Sequence, residues 1–133
     1  MMKDLKGSPS RDTFKQKHKR LSKNYWACDL DFVLLEKNPF PDIVAAIDYK
    51  TSNDHGVPFS EVIAYNALIR RGIRVFIIQG DAETGPFVIR EYVGGHHYKP
   101  SYRLVEVALV KGWEELGEWE GKLREEWRQR FSS

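Results

Sequence analysis

The stretch Asp29-Leu30-Asp31-Phe32-Val33-Leu34-Leu35-Glu36-Lys37-Asn38-Pro39-Phe40-Pro41-Asp42-Ile43-Val44-Ala45-Ala46-Ile47-Asp48-Tyr49-Lys50 decides how this chain folds. Two apolar runs, Asp29 to Glu36 and Ile43 to Lys50, flank a turn with two prolines, a pattern that predicts a β-hairpin. Facing residues of an antiparallel pair have a constant index sum. A turn centred between Pro39 and Phe40 sets that sum at 79, so Asp31 is predicted to face Asp48 and Asp29 to face Lys50. Side chains alternate faces along a strand, so all four are expected to project to one side. A bulge or a shifted turn centre would break this register.

Three carboxylates on one face repel one another, and burial raises the cost. Lys50 supplies one compensating charge. A hard divalent cation held by oxygen ligands is the natural remainder, and Mg2+ keeps several waters in its shell. Such a cation eases the ionisation of water and neutralises charge that builds on a phosphodiester. Lys50 would orient the attacking water or stabilise the transition state. The bland alternative is a surface salt-bridge cluster on a solvated sheet face, against which the apolar flanks of both strands argue.

Working outward, residues 1–9 read as a flexible leader, and Ser10 as the cap of a helix from Arg11 to Leu21. Residues 51–58 form a polar loop. Phe59 to Arg71 is a predicted helix whose Val62, Ile63, Ala67 and Leu68 share a side, with Gly72 as its stop. Ile73 to Gln79 is an apolar strand of the kind buried in mixed sheets, reached by a strand-helix-strand crossover. Phe87 to Val93 and Tyr102 to Val110 add strands on either side of a loop at Gly94-Gly95-His96-His97. From Trp113 to Phe131, Leu116, Trp119, Leu123, Trp127 and Phe131 recur at three- or four-residue steps, which predicts an amphipathic helix. The expected fold is α/β, a small mixed β-sheet flanked by helices, in a single domain over 10–133.

A chain of 133 residues suits one modest core. Cys28 is the only cysteine, which excludes an intrachain disulfide and a thiolate metal cage. A reducing, cytoplasmic setting is the simplest reading. No apolar run approaches the ~20 residues of a membrane span, and the charged N-terminus lacks the apolar middle of a signal peptide. Charge is unevenly placed. Residues 1–24 hold eight Lys/Arg against two Asp, a net +6, and the remainder holds thirteen against seventeen, a net −4. A basic arm on an acidic body suits a polyanion partner such as nucleic acid, or is simply a solvated tail.

The hairpin residues resemble the signature of the PD-(D/E)xK, or restriction-endonuclease-like, nucleases. That signature is an Asp starting one strand and Asp/Glu-x-Lys ending the next, here Leu30-Asp31-Phe32-Val33-Leu34 and Ala46-Ile47-Asp48-Tyr49-Lys50. The wider run is similar to small phage and bacterial members: a basic helix with His, Asp-x-Asp-Phe, Ile-(Asp/Glu)-Tyr-Lys, a helix with Ala-Tyr-Asn, then Gly-Ile-x-Val-Phe-Ile-Ile. It covers about residues 11–80. The resemblance implies a restriction-endonuclease-like core and a Mg2+- or Mn2+-dependent hydrolase cutting DNA in repair, recombination, restriction or phage DNA processing. It implies metal ligation by Asp31, Asp48 and the Tyr49 main-chain carbonyl, with Lys50 as base or charge stabiliser. Leu30 stands where the signature nominally has proline, and the first helix carries Asp12 but no Glu.

Other residues are candidates around this centre. Asp29 reads equally as a group beside the ligands or as a strand cap. Glu61 and Tyr65, at i and i+4, share a helix face and are similar to the Gln-x-x-x-Tyr element of some nucleases; the alternative is a dipole-favoured Glu and a half-buried Tyr. Gln79 ends a buried strand near the expected site. Arg11, Lys15, His18 and Arg20 are expected to grip DNA phosphates, or to form a solvated basic helix. His55 and the pair His96-His97 read as loop residues. A homodimer through the C-terminal helix or a sheet edge is the expected assembly. Two rival functions are a catalytically inactive nucleic-acid-binding or assembly module and a small interaction domain built on the Trp-rich helix.

Overall fold

The computed structural model describes residues 10, 12–14, 16–17, 30–51, 56–94 and 102–131. Its elements are β1 (Phe32–Glu36), β2 (Asp42–Lys50), α1 (Phe59–Arg70), β3 (Arg74–Gly80), β4 (Phe87–Val93), β5 (Arg103–Val110) and α2 (Trp113–Phe131). Ser10 and the other described residues before Leu30 are helical, so Ser10 lies inside that helix rather than capping it.

The strands form one sheet in the order β1-β2-β3-β4-β5. The β2/β3 pair is parallel, and the other three pairs are antiparallel. Parallel neighbours need a long connection, and α1 supplies it. The predicted α/β class and mixed sheet with flanking helices are what the structure shows.

Hairpin register follows the expected sum over Phe32↔Ile47, Val33↔Ala46 and Leu34↔Ala45. It then slips to Leu35↔Ile43 and Glu36↔Asp42. Val44 is the extra residue of a β-bulge. The bulge turns both Val44 and Ala45 into the same core cluster, where strict alternation would separate them. The turn is thus centred on Pro39 rather than between Pro39 and Phe40, and the bulge offsets that shift, so the expected register is restored toward the Asp31/Asp48 end. The first strand starts at Phe32, later than the Asp29 expected from sequence.

Among the described residues, each sheet face packs on one long helix. Ala46, Val75, Ile77 and Tyr92 pack with Tyr65 of α1, and Leu68 and Ile69 pack against them. On the other face, Ile47, Phe76, Ile78, Phe87 and Ile89 pack with Leu116, Leu123 and Trp127 of α2. Trp119 meets Phe76 edge-on at 5.0 Å. The apolar stripe of α2 is therefore spent on its own sheet. At its end, Trp127 meets Phe40 of the hairpin turn at 5.4 Å, and Arg128 pairs with Glu36 at 2.9 Å. These contacts hold the hairpin, and hence Asp31, against the rest of the molecule.

The α1 core face differs from the expected one. Val62, Tyr65 and Asn66 are buried, whereas Ile63 is 41% exposed. Two polar residues replace an apolar one because both are hydrogen-bonded: Tyr65 to carboxylates, and Asn66 through Oδ1 to the Tyr92 hydroxyl at 2.9 Å. The helix stops as predicted. Gly72 has φ +82°, its N–H donates to Ile69 O, and Ile73 N–H donates to Leu68 O. That pair of bonds is a Schellman cap, and only glycine adopts its left-handed residue without strain.

Candidate active site

The β1/β2 ladder ends at Phe32↔Ile47, and two side-chain bonds continue it. Asp31 N–H donates to Asp48 Oδ1 at 2.8 Å, and Tyr49 N–H donates to Asp31 Oδ2 at 2.9 Å. Asp31 thus stands opposite Asp48, as the index sum predicts. Its carboxylate, lying past the strand end, caps the Tyr49 N–H at the sheet edge beside Asp48. Asp31 is also among the residues lining a cavity of about 520 Å3 with Trp113 and Leu116 of α2. In an extended strand a residue's N–H and C=O point the same way, so the Tyr49 carbonyl also faces the β1 edge.

Asp48 is 2% exposed, which removes the surface-cluster reading for it. Tyr65, from α1, donates its hydroxyl to Asp48 Oδ2 and also reaches Glu61 Oε1 at 3.2 Å. Burial pushes the Asp48 carboxyl above the usual Asp range. Bonds from Tyr65 and the Asp31 N–H oppose that, while the negative charges of Asp31 and Glu61 reinforce it. The Tyr65 hydroxyl is driven well above the usual phenol value, first by burial and then by Asp48. It is a fixed donor.

Lys50 lies two residues beyond Asp48 on the same face. Its ammonium pairs with Glu61 Oε1 at 2.8 Å, both side chains being 17% exposed. Sequence placed this charge opposite Asp29 and among the aspartates; the partner described here comes from α1. Parallel pairing sets Gln79 beside Lys50, and Gln79 Nε2 donates to Thr51 O at 2.8 Å. Tyr49 points to the opposite face and hydrogen-bonds Gly80 O.

The structure thus brings together Asp31, Asp48, Tyr49, Lys50, Glu61, Tyr65 and Gln79. Asp29, Arg11, Lys15, His18, Arg20, His55, His96 and His97 lie outside the described residues. Sequence reasoning missed Arg90 on β4, whose Nη1 donates to Gln79 Oε1 at 2.9 Å. Its signal takes two pairings: Asp48 with Ile77, and Ile77 with Arg90, which sets Arg90 on the Asp48 face. The pairing offset of parallel strands is not readable from sequence.

Among the described residues, no group of three or more His, Cys, Asp and Glu converges as metal ligands would. Mg2+ needs less than that, one or two carboxylates with waters and substrate oxygens completing its shell. Asp31 and Asp48 supply two carboxylates, and the Tyr49 carbonyl faces the same edge. Asp31, Asp48 and the Tyr49 carbonyl are all oxygen donors, the chemistry a hard divalent ion takes. No helix among the described residues is long and apolar enough to cross a membrane. Compared with known proteins, the chain matches no family model, no curated protein and no solved structure.

Proposed function

We propose that this protein is a Mg2+- or Mn2+-dependent phosphodiesterase that hydrolyses DNA, on a restriction-endonuclease-like core, acting in the cytoplasm. One observation carries the reading. A buried, doubly hydrogen-bonded Asp48 stands across a hairpin from Asp31, with the Lys50 ammonium two residues on along the same face. Asp31 and Asp48 would hold the cation, which supplies Lewis acidity toward the phosphodiester.

The chain's own groups do the rest. Tyr65 and the Asp31 N–H fix both Asp48 oxygens, so its carboxylate needs no reorganisation. Glu61 holds the Lys50 ammonium beside the reacting phosphate, where it stabilises the extra negative charge of the transition state or orients the water. The water oxygen bonds to phosphorus, one ester P–O bond breaks, and the departing oxygen takes up a proton.

A second reading is a nucleic-acid-binding or assembly module without turnover. The Lys50–Glu61 ion pair favours it, since that pair already neutralises the ammonium. Because Leu116, Leu123 and Trp127 of the α2 stripe are buried on the sheet, a homodimer would use, among the described residues, the β1 or β5 edge. Incubating linear, circular and branched DNA with Mg2+, Mn2+ or EDTA separates the readings. The nuclease reading expects metal-dependent cutting that Lys50→Ala abolishes while DNA binding persists. Tight, salt-sensitive binding with no cutting by wild type selects the module.

A further inference from the structure

Arg90 is half-buried on β4. Among the described residues it forms no ion pair. Its one hydrogen bond goes to the neutral Gln79 amide, leaving most of its five N–H donors unspent. That contrasts with Arg74 on β3, which binds Glu91 through two bonds of 2.9 Å. Register places a carboxylate, Glu106, directly across from Arg90 on β5. Even so, the guanidinium leans the other way, toward Gln79 at the Lys50 end of the sheet. A half-buried cation without an anion is costly unless a ligand supplies one. The bond to Gln79, which is itself tied to Thr51 O, holds the fork in place before any ligand arrives.

We propose that Arg90 is a phosphate anchor: it binds the backbone phosphate next to the one that is cut, and so sets the register of the nucleic-acid strand over Asp48 and Lys50. Asp48, Ile77 and Arg90 are successive neighbours across three strands. Strand spacing therefore puts the Arg90 Cα about 10 Å from that of Asp48, with the side chain leaning back along the strand. This inference rests on the nuclease reading and names a contact of the same site.

The test uses the full chain, a labelled DNA oligonucleotide, and wild type, Arg90→Ala, Arg90→Lys and Lys50→Ala. Affinity is measured in EDTA over a salt series, and cleavage with Mg2+. Arg90→Ala is expected to weaken binding roughly ten- to hundred-fold, as a lost charge-assisted contact does, and to lower the salt slope by about one. Its KM should rise while kcat stays within about three-fold of wild type. Arg90→Lys should keep the salt slope and recover part of the affinity, since a point charge replaces a fork. Wild-type affinity, KM and slope in Arg90→Ala, beside a wild type that cuts, would overturn the anchor and leave the nuclease intact. So would a loss of kcat alone in either variant. Should Arg90→Ala fail to fold, unchanged affinity and KM in Arg90→Lys would overturn it. A folded wild type that neither binds nor cuts DNA overturns the nuclease reading first, and the anchor with it.

Discussion

The Tyr65 hydroxyl touches two carboxylates, and its removal asks what Asp48 needs. Tyr65→Phe strips one donor from a buried acceptor that keeps only the Asp31 N–H. The expected cost is about 1–3 kcal/mol of stability, read by denaturant unfolding. Cleavage should also fall, because an unfixed Asp48 must be oriented during each turnover. Equal stability and rate in this variant would show that the bond matters to neither. At this scale the sequence was legible where geometry is local. The hairpin was legible, but Asp31 comes to face Asp48 because the Val44 bulge offsets a turn centred on Pro39. What the pattern could not show is where Asp31 points, since that depends on the strand ending at Phe32. Nor could it show that Lys50 meets Glu61, a contact made across the α1 crossover.

Helix α2 was legible to the residue, because a long amphipathic period needs no tertiary information. Helix α1 was legible in span but not in face, since hydrogen bonding buried Tyr65 and Asn66 where hydrophobicity alone chose Ile63. The Val44 bulge has no sequence mark; only the core that receives Val44 and Ala45 reveals it. Gly117 sits on the exposed side of α2 with nothing near an added Cβ. Gly117→Ala should therefore stabilise the protein by about 1 kcal/mol in denaturant titration. Glu120, on the same helix, has its carboxyl pushed up by burial, with Arg124 opposing. The folded protein then holds that proton more tightly than the unfolded chain, so stability is lost as pH rises from the unfolded Glu value, ~4.3, through the raised folded value. Glu120→Gln should be more stable than wild type at pH 7 and should lose that advantage near pH 4. An equal advantage at both pH values would assign the effect to packing instead.

Across the whole molecule, the hairpin, the helical crossover and a small mixed sheet were legible, whereas the order β1-β2-β3-β4-β5 and the pairing offsets were not, because they are set by contacts between strands distant in sequence. α2 and its apolar core cover one face of the sheet, while Asp48, Lys50 and Arg90 lie on the face that α1 covers, with Glu61 reaching Lys50 from the start of α1. The most direct test of the central claim is the single-turnover rate of DNA cleavage across a Mg2+ titration, for wild type and Asp48→Asn, which keeps the shape and removes the charge. Wild type should saturate with Mg2+ and fall silent in EDTA. Asp48→Asn should be slower by about 10²-fold or more and require more Mg2+ to reach its maximum. Cleavage that persists in EDTA, or equal rates and Mg2+ dependence in the two proteins, would contradict a metal-dependent site built on Asp48.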